Sequence, residues 1–150
     1  MCSLPEAKLR EETHDLSIFE KKKEGGVHPR LAVKKYARSA ADRKMDEPGT
    51  LRGPEVLLQT VEYLVGAVLD TDTEKRPEFK PGSGPDGRHT LEEILPFILD
   101  RLRAVQQDFS ILGEKSVGQD DSGDAEFVRC HEISAQVQLL FANEALAVSN

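Results

Sequence analysis

The sequence predicts an all-α fold, and three observations carry that expectation. Apolar residues recur at helical spacing in several separate stretches, and no stretch of useful length alternates apolar with polar as a half-buried strand would. Aromatic residues make up only 5% of the 150 residues, with no tryptophan, so the core must be built from Leu, Val, Ile and Ala, as helix-on-helix packing permits. With 38% apolar and 31% charged residues, the chain fits one domain of ordinary size.

Residues 1–26 read as an N-terminal arm. A helix-capable stretch from Glu6 to Glu12 leads through the isolated Leu16, Ile18 and Phe19 into KKKEGG, and apolar residues so sparse dock onto a neighbouring surface. Residues 27–150 form the domain proper. Pro29 suits a first helical turn, where its missing N–H costs nothing, and the helix is expected to run to about Ala41. Val33, Tyr36, Ala37, Ala40 and Ala41 would face inward, leaving Arg30, Lys34 and Arg38 as a cationic ridge toward water or a partner.

A turn through Met45–Gly53 precedes a second helix from Pro54 to about Asp70. Its stripe of Leu57, Val61, Leu64, Val65, Val68 and Leu69 is the strongest periodic signal in the chain. Residues 71–89 are rich in Pro, Gly, Ser and Asp and read as a surface loop. Thr90 and Glu93 then match a capping box, followed by the stripe Leu91, Ile94, Leu95, Ile98, Leu102, Val105 and Phe109. Pro96 falls inside this stripe and predicts a kink or a separate first turn. A second loop spans 113–123. The fourth helix, from about Asp124 to Ala147, should turn Phe127, Cys130, Val137, Leu140 and Phe141 inward. It runs nearly to Asn150 with no polar tail, so further helices are expected to cover its remaining apolar residues.

Charge is distributed unevenly. Nine Lys or Arg against two acids between Lys21 and Lys44 leave that segment at +7, so the remainder carries −14 of the overall −7. The balance disfavours indiscriminate polyanion binding, while the basic segment fits a phosphate footprint, a partner for the chain's own acidic part, or a solvated face. Cys2 and Cys130 are too few and too far apart for a disulfide framework. The charged N-terminus has no signal-peptide pattern and no run reaches the ~18 apolar residues of a membrane span, so a soluble intracellular chain is expected.

Catalytic and metal patterns are missing from the sequence. Cys130, His131 and Glu132 are adjacent, and neighbouring helical side chains diverge by about 100°. Ala135 stands where H-E-x-x-H would need its second histidine. GSGPDG at 82–87 follows no strand and lacks the G-K-S/T of a phosphate loop. No nucleophile elbow frames any Ser, and the i, i+3 pair Asp100 and Arg103 fits a helix surface better than an active site. A non-enzymatic binding module without cofactor, metal or small-molecule substrate is the expectation.

Five blocks in order, CSLPEAKLREETHDLSIFE, LAVKKYARSAAD, LRGPEVLLQTVEYL, DRLRAVQQDF and FVRCHEIS, give the chain a resemblance to the SAC3/GANP family, that of the germinal-centre-associated nuclear protein. The resemblance covers most of the chain outside the two loops. It implies stacked helical hairpins, the N-terminal part of a TPR/PCI-like superhelix that in the family leads to a winged helix. It further implies a scaffold for mRNA export coupled to transcription in the nucleus, at nuclear pores, holding a PCI-domain protein and a small acidic subunit and offering a basic surface to RNA. A shorter family type is linked to centrosome duplication and the spindle. This chain's length and start are closer to that type, which makes a centrosomal regulator without RNA contact the alternative.

By resemblance the motif residues are Lys34, Lys35, Tyr36, Arg38, Ser39 and Asp42 in one block, Leu51, Arg52, Thr60, Tyr63 and Leu64 in the next, and Asp100, Arg101, Arg103 and Asp108 in the third. Most are expected to serve the fold, with Asp100 and Arg101 tying helices together. Arg30, Lys34, Lys35 and Arg38 are the expected partner or RNA surface. Two positions depart from the family pattern: LRP reads LRG, with proline at position 54, and Gln106 replaces an arginine, which removes a charge from an RNA-facing surface.

Overall fold

The structure, a computed structural model, describes residues 1–22, 25–28, 31–38, 49–69, 82–84, 87–115 and 124–148. Among these the fold is all-α: α1 (Leu4–Glu12), α2 (Pro54–Tyr63), α3 (Leu91–Lys115) and α4 (Asp124–Val148), with a 3-10 turn at Ile18–Glu20 and a π turn, Leu64–Leu69, continuing α2. α2 packs against both α3 and α4, the π turn packs against α3, and α3 meets α4. The core lies where these three helices meet.

Local chemistry sets the ends of α1. Ser3 caps its start, accepting from the Glu6 N–H at 3.4 Å, and Pro5 occupies the first turn. At its end His14 takes φ 56°, the Asp15 N–H reaches the Arg10 carbonyl at 2.8 Å and the His14 N–H reaches the Glu11 carbonyl at 3.1 Å. That is the paired bonding of a Schellman termination, with histidine in the left-handed position usually held by glycine. It reverses the chain into the 3-10 turn, where Ser17 and Glu20 form a second capping box.

The sequence periodicity is realised most fully in α2 and α3. Leu57, Val61, Leu64 and Val68 are fully buried, as are Ile94, Ile98, Leu102 and Val105, with Phe109 at 5% exposure. Phe19 joins the same core from the 3-10 turn, its ring 5.0 Å from that of Phe97. At the start of α3 the Glu93 carboxylate reaches back to the Thr90 N–H at 2.9 Å, as the capping box requires. The backbone hydrogen bonds of Thr90 and of Ser83 hold this carboxyl below the usual carboxylate range.

Several expectations are corrected. Residues 31–38 are not helical but form an irregular strap, in which Leu31, Ala32 and Val33 are buried in succession. Three consecutive buried residues suit no one-faced helix, and the strap's backbone groups find partners in other elements, so tertiary bonding overrides a helix-favouring composition. α3 runs unbroken through Pro96, without a separate first turn, and continues past Gly113 to Lys115. In α4, Cys130, Ile133, Val137 and Phe141 face the core, whereas Phe127 and Leu140 are 43% and 46% exposed. Phe127 instead meets Phe109 edge-on at 5.5 Å and lies against His131 at 4.1 Å. The expected residues Ala40 and Ala41, and most of the 71–89 and 113–123 loops, lie outside the described residues.

Two predictions follow from this core. Leu102→Ala should cost ~2–5 kcal/mol and Leu139→Ala, at 65% exposure, should stay within ~0.5 kcal/mol, both read from urea denaturation midpoints. Burial pushes the Cys130 thiol up to about 11, with the charges of Glu62 and Glu126 adding to it. Alkylation near pH 8 should therefore spare Cys130 in the folded chain and modify it once urea unfolds the protein, as followed by mass spectrometry.

Candidate interaction surface

Two buried carboxylates organise the motif residues. Glu20, fully buried, accepts from both terminal nitrogens of Arg10 at 3.0 and 2.5 Å, from Arg101 Nη2 at 3.1 Å, and from the backbone N–H groups of Ser17 and Val33 at 3.0 Å each. Asp108, also fully buried, takes Lys34 Nζ at 2.6 Å on one oxygen and Arg52 Nε at 2.7 Å on the other. Burial of so many charges is tolerated because each carboxylate is paired and hydrogen-bonded.

These networks clamp the strap to the helices. The Arg10 guanidinium donates to the Val33 carbonyl at 3.0 Å, the Lys35 N–H donates to Glu6 at 3.3 Å, and the Tyr36 N–H donates to Asp100 at 3.2 Å. Gln107 closes the end by donating to the Ala37 carbonyl at 2.8 Å. The strap thus uses carboxylates from three elements in place of an intrahelical ladder.

The residues singled out by sequence therefore part company. Lys34 is turned inward, 12% exposed at its side chain, and also donates to the Thr50 carbonyl at 2.8 Å, so it is no part of an open surface. Lys35 lies at the surface, bonded to both oxygens of Asp15 at 2.7 and 2.9 Å. Arg38 is exposed; Arg30 and Asp42, like Ser39, lie outside the described residues. Arg52 and Arg101 are buried at 7% and 4% exposure, Thr60 is fully buried, and Leu51 and Tyr63 are half-buried. Burial, then the nearby Glu20 charge, raises the Tyr63 phenol above its ordinary value. Asp100 pairs with its neighbour Arg101, whose guanidinium lies 4.6 Å from the Phe97 ring centre, and not with Arg103. Arg103 is exposed and stacks its guanidinium 4.7 Å over the Tyr36 ring.

The outcome is an edge where the strap crosses α3, presenting Lys35, Tyr36, Arg38 and Arg103. A guanidinium held over an aromatic ring still has N–H donors to offer, an arrangement suited to phosphate or carboxylate oxygens on a partner. Sequence reasoning missed Glu20, Arg10 and Gln107. The Ser17-x-x-Glu20 capping pattern was the only local signal for Glu20, and nothing local marked the other two.

The residues of all three motif blocks converge: Lys34 from the first, Arg52 from the second and Asp108 from the third meet on one carboxylate. The model of the SAC3/GANP family matches residues 1–149. The chain belongs to the SAC3/GANP family. A curated relative, "SAC3 family protein 1" of Schizosaccharomyces pombe, is 31% identical over 141 residues, which cover 93% of this chain. The chain spans 11% of that relative's length. No solved structure matches. SAC3/GANP is a scaffold-type family associated with mRNA export. In this SAC3/GANP chain no group of three or more His, Cys, Asp or Glu could hold a metal ion among the described residues. His131 instead sets Nδ1 at 2.9 Å from the Phe127 carbonyl, and Glu132 lies 3.9 Å from Arg129. The described backbone donors of the 82–87 loop are spent too: Gly82 and Gly84 donate to the carbonyls of Gly87 and Arg88, Gly87 donates to the Gly84 carbonyl, and Ser83 donates to Glu93. No described helix is long and apolar enough to cross a membrane.

Two substitutions separate the buried network from the exposed pair. Glu20→Gln keeps the shape but leaves Arg10 and Arg101 without their shared counter-charge, and should cost ~3–5 kcal/mol in chemical denaturation. The hydrogen bond from Lys35 holds the Asp15 carboxyl below its usual range. Because the folded value is depressed, this pair stabilises the fold above about pH 3.9 and the contribution fades as pH falls through the folded value. Lys35→Met should return the Asp15 titration toward ordinary aspartate in NMR and flatten that acid limb of stability.

Proposed function

We propose that this chain is part of a non-catalytic helical scaffold in a nuclear assembly, serving mRNA export coupled to transcription. The observation that carries the reading is the use made of the family motif residues. Lys34, Arg52, Arg101 and Asp108 are spent on buried ion pairs that hold the strap and the segment before α2 against the helices. Family membership over residues 1–149 supports the export role, and the proposed partners are a PCI-domain protein, a small acidic subunit and RNA.

The proposed contact is the edge carrying Lys35, Arg38 and Arg103, with Tyr36 as the platform beneath Arg103. Exposed charges of this kind steer association and weaken partner capture when reversed, without unfolding the protein. The stacked helices would extend into a TPR/PCI-like superhelix in the assembled scaffold, at nuclear pores.

Affinity purification from cell extract, with and without nuclease, tests the reading. The unaltered chain should recover a PCI-domain protein with its small acidic subunit, and Arg38→Glu with Arg103→Glu should reduce that recovery about tenfold with an unchanged thermal midpoint. Loss of capture on nuclease treatment would place RNA in the bridge. Recovery of centrosomal proteins alone would overturn the export role in favour of a spindle regulator.

A further inference from the structure

We draw no further inference here: the strongest candidate, the outward apolar face of α4 formed by Val128 and Leu139 with Phe127 and Leu140 at its flanks, carries nothing because nothing in the structure shows what covers it.

Discussion

The buried carboxylate of Glu20 receives two arginines from distant parts of the chain and the N–H of a strap residue, and the packing of the N-terminal third follows from that. Arg10 brings α1, Arg101 brings α3, and Val33 brings the strap, while Ser17 fixes the turn that carries the carboxylate itself. An unpaired charge at full burial would be costly, so these elements are held jointly or not at all. Phe19, next to Glu20, inserts its ring into the apolar core and couples the ionic layer to the hydrophobic one.

Asp108 repeats the device one layer along α3. Its two oxygens separate Lys34 from Arg52, so the strap and the segment leading into α2 are fastened to the same point of one helix. Asp100, Arg101, Gln107 and Asp108 are all on α3, which makes that helix the common support of the strap. Removing these polar groups would leave the apolar packing of α2, α3 and α4 in place, with Leu31 and Val33 of the strap still part of it, but would take away the bonds that fix the course of residues 33–37. With them in place, the result is a helical body that carries a separately fastened edge.

Among the described residues of the basic segment between Lys21 and Lys44, charge is divided between inside and outside. Lys34 is consumed in the interior, Lys35 is engaged by Asp15, and Arg38 remains exposed, two residues along the strap from the Tyr36 that Arg103 covers. Basic residues counted along a run of sequence therefore do not all contribute to a cationic surface, as Lys34 shows. The contribution of α3 to that surface comes from outside the run.

The sequence by itself determined the helices and much of their buried faces. Leu57, Val61, Leu64 and Val68, and Ile94, Ile98, Leu102 and Val105, follow the helical period, and Thr90 with Glu93 marks a helix start, because period and capping are local properties. Composition also made residues 31–42 look helical, since LAVKKYARSAAD carries nothing that forbids a helix. Only the tertiary structure decided that residues 31–38 form a strap and that Lys34 points inward. The carboxylates that take the strap's N–H groups stand 13, 29 and 64 residues away in sequence, beyond any local pattern. Whether a backbone donor bonds within its own helix or to a distant buried acid is settled by which partner the fold brings within reach, and that depends on the whole chain.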